Sequence, residues 1–440
     1  MSGYAEYREV NLPWLKAVPA HWEIRRNKNI FTEQKEIVGE RSADYTLLSL
    51  TLNGIIPRDM DGGGKFPESF DKYKIVKNGD MAFCLFDVDE TPRTVGLSGY
   101  NGMLTGAYTI MRVSNINARF IYYYYLALDN GKMLRPLYTG LRKTININTF
   151  QSTKVPVPPR EEQDQIVRFL DWKVSSINKL INIKHKEISE LNESLNTKLR
   201  NVLLSVPNVK EVPLKRICSV PMTDGPHETP TFVDSGIPFV SAEASHDGRI
   251  HLDECRGFIT REQHEVYCQK VRPHKNDIFI VKSGSTTGKT VMVDFDEEFS
   301  IWSPLALVRC NNLAMPRYVF FYCTSVMFQK QVRDNWSFGT QPNIGMGVLE
   351  NLRLPLPEIE EQRAIVDTLD AYWSKVLQVK CNLKKQIEEF QSLKTRIIAD
   401  AVTGKIDVRG IEIPEYEFVD EDADADNEGD GEEDTEEQED

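Results

Sequence analysis

No stretch of the 440-residue chain is apolar for long enough to span a membrane: the longest run, Phe120–Leu128, stops at nine residues, where about 18 or more are needed. The N-terminus, MSGYAEYREVNLPW, carries acidic residues and has no apolar core of the kind a signal peptide requires. Cysteine is sparse; seven residues, at 84, 218, 255, 268, 310, 323 and 381, form an odd, scattered set without disulfide-framework spacing. Together these absences predict a reduced, cytoplasmic protein. A net positive charge is also missing: 53 Lys and Arg face 66 Asp and Glu, for a net of −13, which at first sight argues against a polyanionic partner. One segment sets that sign. Residues 420–440 hold 14 acidic residues and no Lys or Arg, so the remaining chain carries 53 positive against 52 negative charges.

What is present is ordinary globular material, 40% hydrophobic and 27% charged, of a length that predicts two or three domains. An internal repeat decides the organisation. VPVPPREEQDQIVRFLD (155–171) and LPLPEIEEQRAIVDTLD (354–370) are identical at nine of seventeen positions. Upstream, Arg119–Tyr124 matches Arg317–Tyr322, Gly140 matches Gly339, and Lys77-Asn-Gly-Asp80 resembles His274-Lys-Asn-Asp277, at offsets of 197 to 199 residues. A period near 199 is too long for a solenoid unit, so the chain reads as two whole modules in tandem.

Each module runs from a strand-rich stretch to an aromatic helix, a polar loop, a Pro-x-Pro hinge and a long helix. Tyr45–Leu50, Met81–Phe86 and Thr109–Val113 are β-patterned and punctuated by Asn53-Gly54, Gly62–Gly64 and Gly99–Gly102. Ile278–Val281 and Val291–Val293 flank a Gly/Ser/Thr-rich turn in the manner of a hairpin. The aromatic segments are expected to be helices whose tyrosines belong to the core.

Glu-Glu-Gln after each Pro-x-Pro suits a first helical turn, where carboxylates meet the positive end of the helix dipole. Leu170, Val174, Ile177, Ile181, Ile188, Leu191, Leu195 and Val202 then follow heptad spacing, as do Leu369, Trp373, Val376, Leu383, Ile387, Phe390, Ile397 and Ala401. Helices of roughly 37 residues, about 55 Å long, are predicted. Such helices overhang a small module, and two of them can bury their stripes against each other as a coiled coil.

In this order and partly duplicated, Leu354-Pro-Leu-Pro-x-x-Glu-Glu-Gln362 with Ile365-Val366, its copy at Val155–Val167, the turn Lys282-Ser-Gly-Ser-Thr-Thr-Gly-Lys289, and Gly339-Thr-Gln-Pro-Asn343 resemble the DNA-specificity subunit of a type I restriction-modification system. The resemblance covers residues from about 14 to 403. It implies an α+β chain with two strand-rich target-recognition domains, each reading half of a split site on double-stranded DNA, separated by two long helices that form an antiparallel coiled coil. It further implies no catalytic activity on this chain, docking of methyltransferase subunits, expected to be two, and of restriction/translocase subunits, and no cofactor here, S-adenosylmethionine, ATP and Mg being used by the partners. The expected limits are 1–157 and 207–356 for the reading domains, 158–206 and 357–403 for the helices, and 404–440 for an acidic, disordered tail. The sequence departs from the repeat where Arg160 faces Ile359, and the first polar loop, Gly140-Leu-Arg-Lys143, lacks Gln-Pro-Asn. The acidic tail lies outside the family pattern.

Rival chemistries have weaker support. Gly284-Ser-Thr-Thr-Gly-Lys-Thr290 resembles a phosphate-binding loop, but three residues separate its glycines where four are needed, and a strand-like run comes next in place of a helix. His246, His251, Cys255, His264 and Cys268 lie close in sequence without a close cysteine pair, which reads as scattered residues and not a zinc site. No methyltransferase motif or glycine-rich cofactor turn occurs. DNA binding therefore rests on donors carried by loops, since phosphates need Lys, Arg or N–H groups and base edges need Arg, Lys, Asn or Gln. The candidates are Lys282, Ser283, Ser285, Thr286, Lys289, Gln341 and Asn343 in the second module, and Arg93, Thr94, Arg142 and Lys143 in the first. The competing reading is a coiled-coil interaction scaffold whose paired modules bind protein.

Overall fold

The structure is a computed structural model and describes residues 2–58, 67, 69–139, 143–338 and 341–420. Gly62–Gly64, Gly140, Arg142, Gly339 and residues 421–440 lie outside the described residues. The chain divides into two compact units, one holding the chain through His185 together with the chain from Lys385, the other holding Lys186–Lys384.

The first unit is built on four antiparallel strands, β1 (Phe31–Gln34), β2 (Asp80–Phe83), β3 (Val95–Leu97) and β4 (Thr109–Val113), in the order β1-β4-β2-β3. All four β2 residues are buried, as expected of a short central strand covered on both faces. The run expected as strand through Phe86 leaves the sheet at Cys84, because the chain turns there to meet the loop that carries Lys143. Helix α1 (Ala118–Asn130) carries the aromatic run; Asn117 caps it by accepting from the Arg119 and Phe120 N–H groups. Phe120, Tyr124 and Tyr125 are fully buried, and Tyr125 packs edge-on against Phe83 with ring centroids 5.1 Å apart. The tyrosines thus belong to the core, where ring edges and faces meet favourably. Lys154–Val157 returns to pair antiparallel with Glu23–Arg26, and leads into the 44-residue helix α2 (Arg160–Leu203).

The second unit repeats this plan. Its strands β5 (Thr223–Asp224), β6 (Ile278–Val281), β7 (Thr290–Met292) and β8 (Leu305–Val308) lie in the order β5-β8-β6-β7, the same topology strand for strand. The aromatic helix is split into α3 (Pro316–Thr324) and α4 (Val326–Asn335) by Ser325, whose extended backbone breaks the helix and whose hydroxyl donates to Tyr322 O at 2.7 Å. Arg353–Pro355 pairs with Glu211–Pro213 before the second 44-residue helix, α5 (Ile359–Val402).

The repeated sequence motifs turn out to be joints. Asp80 accepts from the Lys77 N–H at 3.1 Å and from Arg112 Nε at 3.2 Å; Asp277 accepts from the His274 N–H at 2.7 Å and from Arg309 Nε at 2.7 Å. In each unit a buried carboxylate closes a turn and pairs with arginine on the neighbouring strand. The Gln of Glu-Glu-Gln does comparable work. Gln362 is fully buried; its Oε1 accepts from the Met315 N–H at 2.8 Å, and its Nε2 donates to Leu313 O and Pro357 O at 2.9 Å each. Gln163 accepts from the Asn117 N–H and donates to Pro158 O, both at 2.8 Å. One buried amide in each unit thereby fastens the start of the aromatic helix to the Pro-x-Pro hinge.

Each unit also holds the head of one long helix against the tail of the other. In the first, Ile166, Phe169 and Leu170 share a core with Ile398, Ala401 and Val402, and Lys394 Nζ donates to Asn178 Oδ1 at 3.2 Å. In the second, Leu195, Leu199 and Leu203 share a core with Leu369, Trp373 and Val376, and the Ser194 and Tyr372 hydroxyls lie 2.7 Å apart. The helices are antiparallel. At 44 residues, about 66 Å, each exceeds the 37-residue expectation, because the acidic first turn and the capping residues extend beyond the apolar seam.

The chain from residue 404 to Asp420 departs from the expected disordered tail. It packs on α2 of its own unit: Gln165 Nε2 donates to Val408 O and Ile411 O, Ser175 Oγ accepts from the Val419 N–H at 2.8 Å, and Asn178 and Asn182 donate to Val419 O and Asp420 O. A ladder of polar side chains at helical spacing satisfies the extended backbone, while Val408 is buried in the core of the unit and Ile406, Ile411 and Ile413 pack against it.

Candidate nucleic-acid interface

The β6–β7 hairpin ends in the turn Lys282–Lys289, and this turn is docked on the loop carrying Gln341 and Asn343. Ser283 and Asn343 face each other in an isolated antiparallel bridge, the Gly284 N–H donates to Pro342 O at 3.1 Å, and the Ile344 N–H donates to Lys282 O at 2.8 Å. Thr287, which is buried, closes the turn by donating its hydroxyl to Gly284 O at 2.8 Å, and reaches Pro342 O at 3.0 Å. Gly284 has φ +101°, a conformation reserved for glycine. Two segments more than 50 residues apart thus form one surface (282–289 and 341–344). Ser285, Gln341 and Asn343 are exposed on it, and Ser283, Thr286 and Lys289 are half-buried.

Lys282 is held from below. Its Nζ lies 2.6 Å from Asp224 Oδ2, Lys270 Nζ lies 2.6 Å from Oδ1 of the same carboxylate, and His227 Nε2 lies 3.2 Å from Oδ2. Burial works against the charge of Asp224, yet the hydrogen bonds from Lys270 and Lys282 outweigh it and hold the carboxyl below its ordinary range. Asp224, Lys270 and His227 were not among the sequence candidates. No spacing signals them, because Asp224 lies 58 positions before Lys282 and meets it only through the strand order of the sheet.

The first unit docks the corresponding turn in the same way. Between β2 and β3 the chain turns from Cys84 to Thr94; Phe86 bridges Thr144, the Asp87 N–H donates to Lys143 O at 2.8 Å, and the Ile145 N–H donates to Leu85 O at 2.6 Å. Its chemistry differs. Asp87, Asp89 and Glu90 occupy the turn; Lys143 is half-exposed and pairs with Glu90, and Tyr138 donates to Asp89 at 2.5 Å. Hydrogen bonding from Tyr138 keeps the Asp89 carboxyl below its ordinary range.

One first-unit candidate, Thr94, needs correction, and a second, Arg93, is half-buried and paired. Thr94 is 1% exposed, with its hydroxyl donating to Asp129 Oδ1 at 2.7 Å and its N–H donating to Oδ2 at 3.0 Å. Arg93 donates to Asp129 at 3.0 Å and to Asn130 at 2.8 Å, which ties it to the end of α1. Both anchor the turn to that helix, and Thr94 has no surface left to offer DNA. Arg142 lies outside the described residues, so Lys143, exposed, and Arg93, half-buried, are the first-unit candidates that stay at this surface.

The histidine and cysteine cluster divides into two groups. The His246 and His251 rings stack 3.9 Å apart at 10°, with His246 Nε2 2.8 Å from Glu254. His264 Nδ1 lies 2.8 Å from Ser300 Oγ, with Cys268 Sγ 3.4 Å from His264 Nε2. Ligand atoms of His246, His251 and Glu254 lie within 4.8 Å of one another, as do those of His264, Glu265 and Glu298, so each group has the spacing that could hold a metal ion.

The sequence profile of the family described as "Type I restriction modification DNA specificity domain" matches residues 72–193 and 208–389. The chain belongs to this family. Among its relatives, the specificity subunit of type I restriction enzyme MjaVIII from Methanocaldococcus jannaschii is 24% identical over 431 residues, covering 92% of this chain and 98% of that one. The EcoBI specificity subunit from Escherichia coli is 21% identical over 290 residues, 60% of each chain. A solved chain, described as "Structural basis underlying complex assembly and conformational transition of the type I R-M system", aligns with TM-score 0.55 at 16% identity, covering 88% of this chain and 99% of that one. The protein is therefore a type I specificity subunit, a DNA-recognising component and not the catalyst of its complex. In this specificity subunit the glutamines of the repeated Glu-Glu-Gln, Gln163 and Gln362, are buried in structural joints. Among the described residues, no helix is long and apolar enough to cross a membrane.

Proposed function

We propose that this specificity subunit selects a bipartite DNA target, each recognition module (1–157 and 207–356) reading one half-site with its docked turn and loop. The long helices (158–206 and 357–403) serve as spacer and as the docking place for two methyltransferase subunits and for restriction subunits. The observation that carries the reading is the duplication of one interface: the same four-strand order, the same turn between the second and third strands of each sheet, and the same docking of that turn on a loop before the Pro-x-Pro hinge. Two copies of a rigid support with different residues on their turns are what two independent readers of one duplex require.

In the second module, Lys282 and Lys289 offer charge to phosphates, and Gln341 and Asn343 offer amides of the kind that read adenine edges. In the first, the carboxylates Asp87, Asp89 and Glu90 suit acceptance of a hydrogen bond from a cytosine amino group, with Lys143 beside them. Cofactors stay with the partners, S-adenosylmethionine, ATP and Mg acting on subunits that this chain recruits. The test is methylome sequencing of a host with and without this chain, joined to duplex-DNA binding across a salt series. A split methylated motif that depends on the chain, and affinity that falls steeply with salt through counterion release, are expected. Salt-insensitive binding and an unchanged methylome would favour the protein-scaffold reading.

A further inference from the structure

Cys218 and Cys310, both free thiols, face each other across an isolated antiparallel bridge in the second unit. The flanking hydrogen bonds define the kind of pair. The Ser219 N–H donates to Arg309 O and the Asn311 N–H donates to Ile217 O, both at 2.8 Å, while the two cysteines exchange no backbone bond. This is the non-hydrogen-bonded position of an antiparallel ladder, where Cα atoms approach to about 4.5 Å and side chains lie on one face. That separation falls inside the range of about 4.4–6.8 Å that disulfides accept. Side chains clamp the same spot: Ser219 Oγ donates to Arg309 O at 3.2 Å, and Asn311 Nδ2 donates to Arg216 O at 3.0 Å and to Cys218 O at 3.3 Å.

We propose that Cys218 and Cys310 form a built-in dithiol that closes reversibly to a disulfide on exchange with a small-molecule disulfide such as oxidised glutathione, stapling the edge of the second module's sheet. The staple extends the pairing of β5 with β8, which otherwise consists of Thr223↔Leu307 and Asp224↔Ala306. It lies six positions before Asp224, the carboxylate that anchors Lys282.

The step balances. The Cys218 thiolate attacks one sulfur of the glutathione disulfide, forming a mixed disulfide and releasing one glutathione thiolate. The Cys310 thiolate then attacks the Cys218 sulfur, closing the protein disulfide and releasing the second glutathione. The two protein thiols lose two electrons, the glutathione disulfide gains them, and the two thiol protons pass through solvent to the departing thiolates. Before closure, Cys218 Sγ donates to Leu214 O at 3.3 Å, a bond that disulfide formation gives up. Cys323, fully buried in the same core, offers no surface for an incoming disulfide. Burial pushes the Cys218 thiol up to about 11 and the Cys310 thiol up to about 12. Thiolate is scarce at neutral pH, so the pair exchanges slowly, and its closure rate should rise about tenfold per pH unit between pH 7 and 9.

The experiment incubates the full chain, and its Cys218→Ser and Cys310→Ser variants, with oxidised glutathione at about pH 8.5. Free thiols are then alkylated under denaturing conditions and the protein is digested for peptide mass spectrometry. The wild type is expected to yield a peptide containing Cys218 joined to one containing Cys310, absent from both variants and abolished by dithiothreitol. Because the bond closes a loop of about 90 residues, the oxidised wild type should also melt several °C higher than the reduced form. Recovery of both cysteines alkylated, a persistent glutathione adduct on Cys218, or linkage of either residue to another cysteine would overturn the proposal. The wild-type map decides the matter even if a serine variant folds poorly.

Discussion

Replacing Gln362 by Glu changes one atom and should turn a supporting joint into a pH-dependent fault. In the wild type every polar atom of this fully buried amide is used: Oε1 takes the Met315 N–H, and the two Nε2 hydrogens go to Leu313 O and Pro357 O. An ionised glutamate keeps the first bond but sets a negatively charged oxygen against two carbonyl oxygens with no solvent to screen it. Two hydrogen bonds are lost, one to the carbonyl of the buried Pro357 and one to that of the exposed Leu313, at about 1–3 kcal/mol for a buried group left unpaired; with the cost of burying the new charge, a loss of about 4 kcal/mol is expected at pH 8. For a unit of roughly 200 residues that is a fall in melting temperature on the order of 10 °C. Burial and the facing carbonyls raise the folded-state pKa of the new carboxyl above its unfolded value of about 4.3. The folded form then binds more protons, so the penalty is smallest at or below that pH, where a protonated carboxyl can donate to one carbonyl, and grows as pH rises through the raised folded pKa. Calorimetric melts of Q362E and wild type at pH 5 and pH 8 provide the assay. A variant that melts with the wild type at pH 8, or whose deficit shrinks as pH rises, would refute the reasoning that the Glu-Glu-Gln motif is a buried joint.

The same contacts carry other consequences. Lys282→Ala should weaken DNA binding by the second module and reduce the slope of log K against log salt by about 0.9 if Lys282 meets one phosphate, measured by fluorescence anisotropy over a salt series. Asp224→Asn should destabilise the second unit at neutral pH. Because the wild-type carboxyl is held below its ordinary range, its contribution is present above the unfolded value of about 3.9 and is lost as pH falls through the folded pKa, so the difference between variant and wild-type melts should close on acidification. Deleting residues 421–440 should leave the melt unchanged and slightly strengthen non-specific DNA binding by removing negative charge. Truncation after Asp407 should lower the melting temperature by several °C, since the bonds from Gln165, Ser175, Asn178 and Asn182 lose their acceptors.

The two-module plan and the long helices were legible in the sequence because the identical positions are the joints, Asp80 with Asp277 and Gln163 with Gln362, where one geometry must be built twice. The polar turns were legible as turns, Gly284 and Gly288 marking positive φ. Their environment was not. Arg93 and Thr94 read as exposed donors because their types suit a surface turn, and Asp129, 35 positions beyond Thr94, draws them inward. Asp224 was invisible for the converse reason: sheet order brings Lys282 to it, and Lys270 reaches it from the turn after the helix Arg261–Cys268. The segment 404–420 looked like tail because it runs without a break into the acidic residues 421–440, which masked the apolar residues Ile406, Val408, Ile411 and Ile413 that pack it on the core and the backbone groups that bond to α2, which composition does not report.

The central claim is that recognition is split between two independent modules, and the most direct measurement is the methylated motif written by a chimera. Residues 207–356 are exchanged for those of another family member, leaving residues 1–206 and α5 in place, and the methylome of cells carrying the chimera is sequenced. The account predicts a motif in which one half-site is replaced and the other is unchanged. A motif altered in both halves, or one contiguous from end to end, would contradict it.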